Sequence, residues 1–417
     1  MWESLRTAFR IPDIRKKFYW TIFLLAVFRL GSYIVVPGMK PYEFGENTIF
    51  NLLDLFSGGA LSNMSLFALG VQPYITSSII MQLLTMVIPS WQELSKEGPE
   101  GRKILARYTK YATVVLGIIQ ALAITLGFRQ AMADPANVAS LFAIVLTMTA
   151  GTVFLTWLGE TISERGIGNG VSMLIFAGIV ARFVPDFILT LQNIGEGGIS
   201  LLGLLLFLVL IVVIVAFIVM VTQGERKIPI QYAKRVVGRR MYGGQSTHMP
   251  LRVNQVGVIP VIFASSVLAF PMTIANFTSP TSWFYRFVHK FFYPGQPIYL
   301  VIYAVFIFLF SYFYTAVTFN PMDVADNLKK YGGFVPGIRP GRPTAEYLDK
   351  VLTRITTAGA LFLTFVALLP YLLGPLTGIQ QIGFSGTSLL IAVGVAIDTM
   401  KQIEAQLVMR QYEGFLK

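Results

Sequence analysis

Cysteine is absent from the 417 residues, which excludes disulfides, thiolate metal sites and thiol nucleophiles but does not identify a compartment. Only two histidines occur, His248 and His289. They fall in loops expected on opposite sides of a membrane and no HExxH pair is present, so a zinc site or a histidine-based triad finds no support. There is no GxxxxGK[ST] phosphate loop, so energy from ATP would have to come from a partner. Gly166-Ile167-Gly168-Asn169-Gly170 is a glycine run, but it follows an apolar span rather than a strand and reads as a tight turn. Neither a cofactor nor a metal is expected, and no catalytic constellation emerges. Charge is scarce as well: 13% of residues are charged and 54% are hydrophobic, which is wrong for a soluble domain of this length.

What the sequence has instead is long charge-free apolar runs. The segment 197–224 carries no charge, and as a helix it would be about 42 Å long against a hydrocarbon core of roughly 30 Å. Other such stretches are 111–128, 135–159, 253–285, 291–322 and two double-length runs, 55–92 and 355–397. The last must hold two spans and a short turn, with the break expected near Pro370 and Pro375. With 18–38 and a shorter span from about 170, interrupted by Arg182, the total is ten. Of the 33 Lys and Arg residues, 27 then lie on one side, 5 on the other, and Arg29 lies inside the first span. The positive-inside rule makes the basic side cytoplasmic, and both termini with it. Residues 1–17 carry five basic side chains, and the apolar run after them lacks a small-residue cleavage site, so the first span is expected to stay attached. Trp2, Leu5 and Phe9 share a face ahead of Pro12, which suggests an interfacial helix on the cytoplasmic leaflet.

Ionisable residues within spans mark ion and proton pathways, because an unpaired charge there costs about 2.5–3.5 kcal/mol on insertion scales. Arg29, Arg182, Glu160 and Asp398 are the few here, and the last three are near enough to span ends to snorkel. A proton- or sodium-coupled transporter normally needs more. Two cytoplasmic loops, 224–252 and 320–354, hold most of the remaining information. The first reads as a short ribbon with a basic tip that includes Arg239 and Arg240. In the second, Lys329 and Lys330 precede Pro336-Gly337-Ile338-Arg339-Pro340-Gly341, a rigid turn that presents Arg339. Basic loops serve topology in any case, but topology requires neither this length nor Gly and Pro at the tips, so docking is the better account. The net charge of +12 suits anionic lipid, an acidic protein surface or RNA.

Residues 50–63 are apolar enough to enter a membrane yet carry Asp54, Asn51, Asn63, Gly58 and Gly59. They make a poor lipid-facing helix. The run from Met64 to Val87 is long enough to span alone, which leaves 50–63 as a re-entrant half-helix sheltered inside a cavity, or else a loop dipping into the headgroups.

Several strings are specific. Leu55-Phe56-Ser57-Gly58-Gly59-Ala60-Leu61-Ser62, Phe67-Ala68-Leu69-Gly70 and Pro73-Tyr74-Ile75 come first. Glu164-Arg165 with the glycine run, Gln245-Ser246-Thr247-His248, Ala325-Asp326-Asn327-Leu328-Lys329-Lys330 and Gly332-Gly333-Phe334-Val335 with the Arg339 turn follow in order. Together they resemble the SecY family of protein-conducting channels, from about residue 10 to residue 414. The resemblance implies an all-α polytopic membrane protein of ten transmembrane helices, in two inverted five-helix halves around a central pore. The halves would be 18–193 and 194–404, between a cytoplasmic N-terminal segment 1–17 and a tail 405–417.

By that resemblance residues 50–63 are a plug, comprising Asn51, Leu52, Leu55, Phe56, Ser57, Gly58, Gly59, Ala60 and Leu61 among others. The pore collar would be Val71, Ile75, Val171, Ile175, Ile262 and Ile391, aliphatic groups that admit side chains of every size and gate by dewetting. Polar groups at a lateral seam, Thr76, Gln82 and Asn254, would hold it shut weakly enough to open. Arg239, Arg240, Arg339, Lys329 and Lys330 would dock the SecA ATPase or the ribosome, through protein or rRNA. Small membrane subunits like SecE and SecG, signal sequences and nascent chains complete the implied partners, in a bacterial plasma (inner) membrane. A secondary transporter of a small solute could also be built from inverted repeats, but scarce intramembrane charge and long docking loops, with the motifs, favour the channel.

Overall fold

The computed structural model describes residues 11–42, 54, 57–192, 201–232, 235–237, 240–242, 246–275, 278, 281–293, 295–377 and 386–415. The expected helix at 2–10 therefore lies outside the described residues.

Among the described residues ten helices of 16 residues or more overlap the expected spans. The first five are α1 (Pro12–Gly31), α2 (Gln72–Val87), α4 (Pro99–Gly127), α5 (Val138–Arg165) and α6 (Gly170–Gln192). The second five are α7 (Leu201–Gln223), α8 (Ile259–Ala275), α10 (Pro297–Thr318), α12 (Arg342–Thr377) and α13 (Gly386–Phe415). Five of them are long and apolar enough to cross a membrane by length and composition alone, and α2 joins them when taken with the short helix α3 (Pro89–Lys96), from which it is bent by 103°. α6 and α8 are shorter apolar helices. Proline opens α1, α2, α3, α4 and α10, where its missing N–H leaves no intrahelical bond unmade.

Two expected boundaries are corrected. The second span does not start at Met64: residues 58–71 form successive turns, and α2 begins only at Gln72. Apolar composition admits either conformation, but Met64 (φ 44°), Gly58 (φ 69°), Gly59 (φ 86°) and Gly70 (φ 57°) are left-handed and cannot continue a right-handed helix. The ninth span does not break at Pro370 or Pro375, because α12 runs through both to Thr377. Prolines are tolerated in membrane helices where neighbouring groups satisfy the freed carbonyls.

Helices α1, α2, α4, α5 and α6 pack among themselves, as do α7, α8, α10, α12 and α13. The two groups meet along two lines. On one side α6 packs along α13, and on the other α2 touches α8. The turn between α5 and α6 is the tight one expected of the glycine run: Ile167 N–H donates to Thr21 Oγ1 at 3.0 Å and Gly168 N–H to Gln402 Oε1 of α13 at 3.0 Å. It thereby ties the two groups on the α6–α13 side.

The loop 224–252 forms the expected ribbon. β1 (Glu225–Tyr232) pairs antiparallel with β4 (Ser246–Arg252), and β2 (Arg235–Val237) with β3 (Arg240–Tyr242) nearer the tip. Beyond expectation, β5 (Gly333–Phe334) adds to the free edge of β1, with Gln231 opposite Phe334 and Tyr232 opposite Gly333. This joins the two basic loops into one sheet, in the order β4-β1-β5. Ile228, Leu251, Val335 and Leu348 form its small apolar core. Among the described residues the remaining α-helices are α9 (Trp283–Phe292) between α8 and α10, and α11 (Pro321–Lys330) leading to β5.

Candidate functional site

The turns before α2 enclose a carboxylate. Asp54 is fully buried, and its Oδ1 accepts from the N–H groups of Leu61 at 3.0 Å and Ser62 at 2.8 Å and from Ser57 Oγ at 3.4 Å. A chain reversal is shaped by this one side chain, as carboxylates do at turns. Its other oxygen, Oδ2, is ion-paired with Nη1 of Arg182 from α6. Arg182 therefore turns inward and does not snorkel to a span end as expected. Glu160 is also paired, with Lys110 across α4 and α5 at 2.7 Å, whereas Asp398 is exposed. Arg29 of α1 donates to the Gly58 carbonyl at 2.6 Å and to Tyr33 Oη at 2.7 Å. Gly58 lies so close to Gly178 of α6 that a Cβ would sit 2.8 Å from the Gly178 Cα. Any other residue would lift the segment off the helix. Asn51, Leu52, Leu55 and Phe56 lie outside the described residues.

Below this segment all six expected collar residues belong to one apolar cluster. Val71, Ile175 and Ile391 are buried in it together with Ala60 from the turns above, and Ile75, Val171 and Ile262 pack against it. Val71 caps α2 and does not lie within it, but its carbonyl accepts from Ile75 N–H at 3.1 Å, so the one-turn spacing holds. A small cavity is lined by Ser57, Leu61, Val71, Ile75, Ile175 and Ile262. These come from the turns, α2, α6 and α8, and so from both helix groups. Val171 leans on Gly159 of α5 and, like Ile391, is no part of the cavity wall.

At the α2–α8 line two polar contacts cross between the groups. Gln72 Nε2 donates to Ser266 Oγ of α8 at 3.2 Å, and the Gln82 side chain lies beside the Tyr314 hydroxyl of α10. Of the residues expected there, Gln82 lies against the other group. Thr76 donates to the Gln72 carbonyl of its own helix at 3.0 Å, and Asn254 is buried beside Gly359 of α12, within its own group.

A family model described as SecY matches residues 65–400. Over its full length the chain is 45% identical to the protein translocase subunit SecY of Thermotoga maritima, covering 98% of that protein. The chain belongs to the SecY family. It is also 46% identical to the Escherichia coli K12 member, over 98% of this chain and 95% of that one. A solved structure titled "The structure of a protein conducting channel" shares the fold at a TM-score of 0.71 and 19% identity, with 97% of each chain covered. The Sec61 channel of a canine ribosome-channel complex does so at 0.67 and 17%, also over 97% of each. The arrangement of helices is thus the fold shared by these channels.

In this SecY-family chain Arg339 is exposed on the turn between β5 and α12. The turn is stiff: Gly337 (φ 83°) and Gly341 (φ 99°) take left-handed positions, Val335 and Ile338 anchor it in the sheet core, and Thr344 Oγ1 donates to the Arg339 carbonyl at 2.9 Å. Lys329 and Lys330 are exposed in the last turn of α11, where cations suit the helix dipole. Arg240 opens β3, and Arg239 lies outside the described residues. Reading the sequence missed Gln72, Ser266, Tyr314 and the partners of Arg29 and Arg182. An isolated Gln at the start of a span and a Ser in the middle of one were the available signals.

Proposed function

We propose that the chain is the channel-forming subunit of a protein translocase, passing unfolded polypeptides across the membrane and releasing apolar segments sideways into lipid. The observation that carries this reading is the cavity where Ser57 and Leu61 of the turn segment meet Val71, Ile75, Ile175 and Ile262 of two helix groups. Aliphatic side chains converging from both groups make a collar that excludes ions by dewetting yet deforms around a passing chain. The segment seated on it is the plug, and the α6–α13 side is the hinge.

Sideways release requires the opposite side to part. The polar contacts there, the Gln72–Ser266 hydrogen bond and Gln82 beside Tyr314, suit this, since such a bond in a membrane averages only about 0.6 kcal/mol. They hold a closed state without making opening prohibitive. The halves are residues 18–193 and 194–404, with residues 1–17 and 405–417 cytoplasmic, in a bacterial inner membrane. The basic sheet and the Arg339 turn face the cytosol as the platform for SecA or the ribosome. SecE-like and SecG-like subunits, signal sequences, nascent chains and anionic lipids complete the assembly. The enzyme that supplies energy is the partner.

Because the chain has no cysteine, a Gln72→Cys/Ser266→Cys pair is unique and a short thiol cross-linker will span it. The linked channel is expected to retain a membrane segment and release it into lipid only when the linker is cleaved. Equal release from linked and cleaved channels would remove the seam from this line.

A further inference from the structure

We infer that Asp54, Arg182 and Arg29 form a polar latch that keeps the plug docked on α1 and α6, so that unseating the plug is a separate event from parting the seam. The inference rests on the plug reading above. Its chemistry is local. Asp54 places one carboxylate oxygen inside the turn, where it accepts two backbone N–H groups and the Ser57 hydroxyl, and offers the other to Arg182. The same side chain therefore folds the plug and carries its attachment point. A buried carboxylate is tolerable only while its charge is answered, and the Arg182 guanidinium, itself 29% exposed, answers it.

Arg29 holds the other end. Its Nη1 donates to the Gly58 carbonyl at 2.6 Å while Nη2 donates to Tyr33 Oη at 2.7 Å, with the guanidinium 4.7 Å from the Tyr33 ring centroid. Tyr33 thus fixes the fork that grips the plug backbone. Between the two grips, Gly58 rests directly on Gly178. Both cations stand on helices of the N-terminal group, whereas the polar contacts of the seam run from α2 to α8 and α10. Separating the two groups breaks the seam contacts and leaves the latch intact. The plug accordingly moves with the first five helices and leaves only when an entering chain, or a shift of α6 against α1, takes Arg182 from Asp54.

The latch makes an ordered prediction for resting ion leak, measured in planar bilayers and normalised to the inserted channel. Arg182→Gln leaves a buried charge unanswered and should raise the leak by about tenfold or more. Asp54→Asn keeps an amide oxygen for the Leu61 and Ser62 N–H groups, and the double variant Asp54→Asn/Arg182→Gln should leak less than Arg182→Gln alone, because no charge is stranded. In a channel lacking residues 51–62, which should itself leak, Arg182→Gln should add nothing. A leaking deletion with a tight Arg182→Gln channel would overturn the latch and leave the plug reading standing, as would a double variant leakier than Arg182→Gln. An Arg182→Gln effect that persists without residues 51–62 would overturn it too. A silent deletion would overturn the plug reading and the latch with it.

Discussion

Replacing Ile75 by Asp is expected to turn a sealed membrane into an ion-conducting one at rest, raising conductance per channel by at least about tenfold over wild type. Ile75 lies in the apolar cluster with Val71, Ile175, Ile262 and Ile391, and the polar side chains at the cavity it lines, Ser57, Gln72 and Gln120, carry no charge to pair with a carboxylate. An unpaired carboxylate in such surroundings costs several kcal/mol, and the way out is to draw water in. Water at this cluster is what the proposed collar would exclude. Ile75→Leu should stay sealed, since volume and polarity change little. Val212 of α7 is 68% exposed and faces away from the cluster, so Val212→Asp should lower the amount of inserted channel without raising conductance per channel. Single-channel recordings that find Ile75→Asp as silent as wild type would take the collar away from this cluster.

Arg339→Glu is expected to reduce SecA-driven import of a preprotein to background, while Arg339→Lys weakens it and neither variant alters insertion or resting leak. The exposed guanidinium stands on a turn fixed by two left-handed glycines and two anchored apolar residues, so its direction is set before a partner arrives. A fork so presented makes paired bonds to a carboxylate that an ammonium cannot reproduce. Reversing its sign sets like charges against each other at the contact. The check is ATP-driven import into vesicles holding each variant at equal channel density. Wild-type import by Arg339→Glu would leave the turn as a topology signal only.

Much of the helical architecture was legible because charge is excluded from lipid so strongly that its absence outlines apolar helices. The start of α2 was not. Met64 to Val71 are as apolar as a span, and only backbone bonds such as Ser65 N–H to the Ala60 carbonyl at 2.9 Å reveal that they wrap beneath the turn segment. Hydropathy carries no information on φ. The contacts that organise the site were hidden for a different reason: Asp54 and Arg182 are 128 residues apart, and Gln72 and Ser266 are 194 apart. Arg182, read as a span-end cation, gave no sign of an acidic partner on a distant segment. The joining of the two basic loops rests on a two-residue strand, Gly333–Phe334, too short to show any period. The collar came from family motifs, since six aliphatic residues among so many look like ordinary packing.

The central claim is that a polypeptide passes through the cluster around Ile75. A photoreactive residue placed at Ile75, at Ile262 or at Val212 in separate channels, with a secretory chain stalled during import, tests it most directly. Adducts to the stalled chain from positions 75 and 262, dependent on ATP and absent from position 212, are the predicted result. Equal labelling from all three positions, or labelling from position 212 alone, would contradict it.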